Sequence, residues 1–150
     1  MSSTEDVLEA LKTLLATATG AGGALEDVTV LRNTAIPEAI SEAGLVIIRD
    51  GNPGEPERVL GGFDDVYYDH AIDIEVYVQD ADDADRDEKF AAVVSGIGTV
   101  LQENRTLADT ADGIDYGQPS AGIEAVEGFA DIKSGTITVT ASYYASSPLG

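Results

Sequence analysis

The sequence predicts an α+β fold, with an antiparallel or mixed β-sheet of about five strands and two helices packed on one face of it. Three patterns predict it. The segment from His70 to Asp80 alternates strictly, with His70, Ile72, Ile74, Val76 and Val78 on one side and Ala71, Asp73, Glu75, Tyr77 and Gln79 on the other. That is the period of a strand with one buried and one wet face. The period then becomes helical, with Phe90, Val93, Val94, Ile97, Val100 and Leu101 on one stripe. A second alternating run closes the chain, with Ile137, Val139, Ala141 and Tyr143 set against Thr136, Thr138, Thr140, Ser142 and Tyr144.

The remaining elements follow in order. The first helix is expected to start near Ser3 or Thr4, either of which caps it with a side-chain oxygen, and Glu5 and Asp6 suit the positive end of its dipole. Val7, Leu8, Leu11, Leu14, Leu15 and Ala18 form its apolar stripe, and the glycines from Gly20 to Gly23 end it. Val28, Val30 and Leu31 suggest a short strand, and Asn33 to Ile36 reads as a connector before Pro37. Leu45 to Arg49 is a strongly β-branched strand. The run Asp50-Gly51-Asn52-Pro53-Gly54, followed by Glu55, Pro56 and Glu57, predicts a projecting loop. Gly61-Gly62 predicts a bulge or hinge on the return, and Val66-Tyr67-Tyr68 leads into the central strand. Asp85 with Glu88 matches a capping box and places the start of the second helix at Asp85; its end is expected near Asn104. A polar loop from Ala108 to Gly113 and a weak strand from Ile123 to Val126 precede the last strand. The expected order is helix, three or four strands, helix, two strands. No repeat or linker breaks residues 1–150, which read as one domain.

Charge is the strongest global feature. The chain has 28 acidic and 8 basic residues and a formal charge of −20, which disfavours direct binding to nucleic acid or an anionic membrane. It also predicts a protomer that repels its own kind at low salt. There is no cysteine, so disulfides and thiolate metal sites are excluded. The first residues lack the basic and apolar regions of a signal peptide, and no apolar run approaches the roughly eighteen residues a membrane helix needs. Synthesis and assembly are therefore expected in the cytoplasm.

Each motif that invites a chemical reading fails on inspection. Counted from Asp80, the acidic run places Ala84, Asp85 and Ala91 at the fifth, sixth and twelfth positions, where a calcium loop needs an oxygen ligand, glycine and glutamate. A solvated, helix-capping turn accounts for it. His70 is the only histidine, no Gly-x-Ser-x-Gly elbow supplies a nucleophile, and one histidine without cysteine makes a poor zinc set. The Gly20–Leu25 stretch follows a helix and lacks the last glycine of a dinucleotide loop. No catalytic residue, cofactor or metal ligand is predicted. Tyr67, Tyr68, Tyr77, Tyr143 and Tyr144 fall in strands, as tyrosine's strand propensity alone would arrange. Tyrosine is also enriched in protein contacts, so a half-polar outer sheet face carrying Tyr67, Tyr68 and Tyr77 is a candidate contact surface.

The chain as a whole resembles the tail terminator, or tail-completion, proteins of long-tailed bacteriophages, the group of minor tail protein U-like chains. The likeness runs through the leading helix with Leu8, Leu11, Leu14 and Leu15, then the Leu45–Ile48 run before a Gly/Pro/acid loop. It continues in the strand Ile72 to Val78, the helix end from Val100 to Leu107, and the closing strand Ile137 to Tyr144. The resemblance implies a structural virion protein with no enzyme activity and no cofactor. It implies a hexameric ring at the head-proximal end of the tail tube that ends tube polymerisation and presents the head-joining surface. Its partners would be the tail tube protein and a head-completion or neck protein, with DNA passing through the bore unbound and carboxylates keeping phosphate from sticking. The Asp50–Glu57 projection would be a contact loop, and Arg49, Arg58 and Arg105 would pair with acids across protomers. A head-closure or head-to-tail joining protein is a competing reading. A small hydrolase or ligand-binding domain using His70, and a salt-adapted protein of no phage origin, are two more.

Overall fold

A computed structural model describes residues 3–35, 40–61, 63–124 and 131–150, with backbone alone at 123 and 124. Helix α1 (Thr4–Thr17) is entered through a capping box. The Asp6 N–H donates to Ser3 Oγ at 3.0 Å, and the Ser3 N–H donates to Asp6 Oδ2 at 3.2 Å. Val7, Leu8, Leu11 and Leu15 are its buried residues, the stripe that the periodicity required. Strands β1 (Thr29–Arg32), β2 (Leu45–Asn52), β3 (Glu57–Arg58) and β4 (Val66–Gln79) follow, then helix α2 (Asp83–Glu103) and strands β5 (Gly113–Tyr116), β6 (Ser120–Glu124) and β7 (Ile132–Ala145).

All seven strands join one mixed sheet in the order β1-β2-β4-β7-β5. Only β1 and β2 run parallel. β3 continues the β2 edge along the start of β4, and β6 continues the β5 edge along β7. The expected sheet of about five strands is thus met in width, two of its columns being broken into paired short strands. Long β4 and β7 form the spine, paired from Val66↔Ala145 to Gln79↔Ile132.

One hydrophobic cluster joins both helices to a single face of the sheet through Leu8, Leu11, Phe90, Ile97, Ile72, Ile74 and Val139. On the other face lie Asp69, Asp73, Glu75 and Tyr77 of β4 and the threonines of β7, half-buried or exposed. Leu45 and Ile47 are nonetheless buried on that outer side of β2, so the outer face is not uniformly bare. Helix α2 packs closely at Gly96, where a Cβ would lie 2.3 Å from the Ala24 carbonyl oxygen.

Several expected boundaries move. Helix α2 starts at Asp83, capped by Asp82 rather than Asp85. Adjacent aspartates compete for the cap, and Asp82 Oδ1 takes the Asp85 N–H at 2.9 Å. Strand β2 extends past Arg49 to Asn52 with a register shift between the two. This bulge sits at Gly51 (φ +66°), where a Cβ would come 1.9 Å from the Ala71 carbonyl oxygen. Gly62 lies outside the described residues, as do Ile36, Pro37, Ala125 and Val126 of the expected connector and weak strand. That strand begins at Ser120, and β5 ahead of it was not predicted.

Candidate functional site

The seven predicted contact residues do not form one patch. Arg49 and Tyr77 converge on the outer face, where Arg49 Nε donates to Glu75 Oε1 at 3.1 Å and the Tyr77 hydroxyl donates to the same oxygen at 2.8 Å. The register of β2 against β4 brings them together: Ile47 pairs with Glu75 and Leu45 with Tyr77. Tyr67 stacks edge-on against Tyr144 across the strand pair, with centroids 4.6 Å apart. Arg58 is exposed on β3, and its neighbour Glu57 pairs with Tyr67. Arg105 lies elsewhere, its guanidinium 5.1 Å from the Tyr116 ring centroid.

One of the seven, Tyr68, is misplaced as a contact residue, and a second, Asp50, is engaged within its own chain. Tyr68 shares the parity of His70 and Ile72, so it points into the core. It is 3 % exposed, and its hydroxyl donates to the Pro148 carbonyl. Asp50 lies inside β2, and its side chain is held by Arg32. All five guanidinium N–H groups of Arg32 have acceptors. Asp50 takes two, at 2.9 and 3.2 Å, Glu5 takes two, at 2.7 and 3.0 Å, and Glu9 takes one at 3.0 Å. Those bonds hold the Asp50 and Glu5 carboxyls below the ordinary carboxylate range. The cluster clamps α1 to the β1–β2 edge. Arg32 was not singled out in the sequence, because nothing local marks a lone arginine whose partners lie up to 27 positions away.

His70 carries the only buried imidazole. Its Nδ1 bonds the Tyr143 hydroxyl at 2.9 Å, and its Nε2 bonds the Asp50 carbonyl. A carbonyl only accepts, so Nε2 carries the proton and Nδ1 accepts from Tyr143. The Tyr143 oxygen also bonds Thr4 Oγ1 at 3.0 Å, tying the helix N-terminus to the sheet. Burial pushes the His70 pKa down against the opposing pull of the Asp50 carbonyl and charge. With no exposed surface and both nitrogens engaged, the ring serves as a structural link.

Among the described residues, no three histidine or acidic side chains converge to hold a metal ion, and no helix is long and apolar enough to cross a membrane. The acidic run Asp80–Glu88 is a capped helix start: Asp80 Oδ1 takes the Asp82 N–H at 2.9 Å, and Arg86 reaches back to the Asp80 carbonyl at 3.0 Å and to Asp83 at 2.6 Å. No family model matches the chain, and no curated protein sequence matches it.

The most exposed apolar side chains were not predicted as functional. Leu60 is 102 % exposed and Phe63 is 99 % exposed, on the segment between β3 and β4. Leu149, 97 % exposed, follows Pro148 and so lies at the same end of β4, beside Tyr68. A single exposed leucine needs no explanation. Leu60 and Phe63, a leucine and a phenylalanine three positions apart, both lie fully in water, in contrast to the buried apolar side chains of the core. Their sequence setting of glycines and acids hid them, since no periodicity marks a loop residue.

Proposed function

We propose that this protein is a structural component of a long-tailed phage virion, a tail terminator that closes as a hexameric ring on the head-proximal end of the tail tube. There it ends tube polymerisation and presents the head-joining surface. The observation that carries the reading is the full exposure of Leu60 and Phe63 between β3 and β4, apolar side chains that suit a protein partner better than a substrate. The saturated, buried His70 supports a non-enzymatic role. The carboxylates of the outer face, Asp69, Asp73 and Glu75, supply a wall along which DNA would slide without adhering. In this reading the protomers wait in the host cytoplasm and meet the tube protein on one side and a neck protein on the other.

Negative-stain imaging of concentrated protein, with and without polymerised tail tubes, tests this. Six-fold rings at one end of each tube, with arrested growth at that end, are expected. Tubes that grow unchanged in the protein's presence, or binding to the portal side instead, would overturn it. A ring whose bore proved neutral or basic would remove the proposed role of the carboxylates.

A further inference from the structure

We infer that the groove between the α1–β1 connection, the segment ahead of β2 and helix α2 receives an apolar side chain from a lysine- or arginine-rich segment of a different protein. The inference goes beyond the ring reading and does not rest on it. The groove has a volume of about 540 Å³, within the range of pockets that bury organic groups. Leu25, Val28 and Val93, all buried, form its floor. Ala24, Ala43 and Ala92 line it with short side chains and leave the space above that floor open.

Its walls are held before any partner arrives. The Leu25 and Asp27 N–H groups donate to the Ala18 and Thr19 carbonyls at 3.0 and 3.1 Å, which fixes the connection to the end of α1. The Thr29 N–H donates to the Gly44 carbonyl at 3.1 Å and ties the connection to the segment ahead of β2. Helix α2 closes the third side, with Gly96 against the Ala24 carbonyl, and a Cβ on Gly44 would lie 3.1 Å from Val93. A pre-formed apolar groove loses little freedom when it is filled.

Charge selects the occupant. Glu26, Asp27 and Glu42 rim the groove, and all three are exposed. None of them takes part in an ion pair among the described residues. The one cation of the lining, Lys89, is held by Asp80 at 2.9 Å, so the rim keeps its negative charge. An apolar segment flanked by acids is repelled there, and one flanked by lysine or arginine is drawn in. A second copy has no such segment to offer. The chain holds 28 acidic and 8 basic residues, and Arg32, Arg49, Arg86, Lys89 and Lys133 are already paired with carboxylates of their own chain. Lys12, Arg58 and Arg105 stand singly in the sequence. The occupant is therefore a basic partner and not another copy.

Titration calorimetry of the full-length chain with synthetic peptides tests this. The probes are an amphipathic peptide of leucine and lysine, a twin with serine for every leucine, and a twin with glutamate for every lysine. The leucine–lysine peptide should bind, less tightly as salt rises. The serine twin should bind at least about 10-fold more weakly, and the glutamate twin not at all. Ala92→Arg, at an exposed position, fills the groove and should weaken the leucine–lysine peptide about 10-fold or more. Glu26→Gln with Asp27→Asn and Glu42→Gln should do the same and flatten the salt dependence. Asp109→Asn with Asp112→Asn and Asp115→Asn removes as much charge at the far sheet edge, beside β5, and should leave the affinity as it was. Thermal melting checks folding, and the two groove variants are read independently. No binding of the leucine–lysine peptide to wild type overturns the inference. Equal affinity for the leucine and serine peptides, or an equal loss from the distant triple variant, would reduce the binding to bulk charge and overturn it too. Wild-type self-association in sedimentation that Ala92→Arg abolishes would give the groove to a second copy, with the same consequence. None of these measurements involves a tail tube, so this inference and the tail-terminator reading fail separately.

Discussion

The two faces of β4 are written by alternate residues of one strand, yet they are held by different physics. On the helix side, Ile72, Ile74, Val76 and Val78 are wholly buried, and polar groups admitted there are hydrogen-bonded, His70 to Tyr143 and Tyr68 to the Pro148 carbonyl. On the outer side, Asp69 accepts from Ser142 at 2.6 Å and Asp73 from Thr138 at 3.0 Å, within reach of water. The inner face draws its stability from transfer out of water and close packing. The outer face exchanges one set of hydrogen bonds for another at little net gain. For β4, stability therefore rests mainly on the helix side, while the outer side chains of this strand are free to be chosen for charge.

The largest effect expected follows from this contrast. Ile74→Ala should cost about 2–5 kcal/mol, because it deletes buried methyl groups and leaves a cavity under α2. Asp73→Ala, one residue along and on the other face, should cost no more than about 1 kcal/mol. Thermal melting of both variants checks it, with the first lowered by roughly 10 °C. Equal shifts would mean that the outer face is also a packed interior in the folded protomer.

How much of this could be read in advance depended on whether the information was local. The register of β4 and β7 was legible because period-two alternation states which residues are inside, and the stripe Val7, Leu8, Leu11 and Leu15 was legible for the matching helical reason. Tyr68 was misassigned although its parity with His70 and Ile72 already placed it inside. β5 escaped notice because Gly113-Ile-Asp-Tyr116 is too short to show a period, and its strand character comes from pairing with Val139 to Ser142. The Arg32 clamp and the His70 link join segments distant in the chain, so no spacing announces them. The start of α2 was off by two residues because several aspartates can cap and only the fold selects one.

A smaller effect tests the polar link on the inner face. His70→Phe should cost about 1–3 kcal/mol at neutral pH, since the Tyr143 hydroxyl and the Asp50 carbonyl each lose a partner. Its pH signature is more specific. The folded imidazole titrates below its ordinary value, so the unfolded chain takes up the proton first as pH falls past about 6.5. Stability contributed by the neutral ring is complete above that value and is lost as pH falls through the lower, folded pKa. Glu5 and Asp50, also depressed, add a separate loss as pH falls below about 4.3 and about 3.9, their ordinary values. Urea unfolding at a series of pH values should show the upper decline in the wild type and its absence in His70→Phe, with the acidic decline kept by both. Parallel curves through the upper region would mean the imidazole titrates alike in the folded and unfolded chains.

The smallest effect is the most informative about the outer face. Arg49 and Glu75 keep 31 % and 25 % of their side-chain surface in water, so water and salt screen the pair, and Glu75 retains the Tyr77 hydroxyl when Arg49 is removed. Arg49→Ala should therefore shift protomer stability by no more than about 0.5 kcal/mol. Because Arg49 already has a partner within its own chain, an acid on a neighbouring copy would have to displace Glu75 to claim it. A double-mutant cycle with Glu75→Gln, run on the protomer and again on the assembled form, separates the cases. Weak coupling in both states keeps the Arg49–Glu75 pair out of the subunit contact. Coupling that appears only on assembly would move Arg49 into the interface, and the contrast between a face that stabilises and a face that merely carries charge would have to be redrawn.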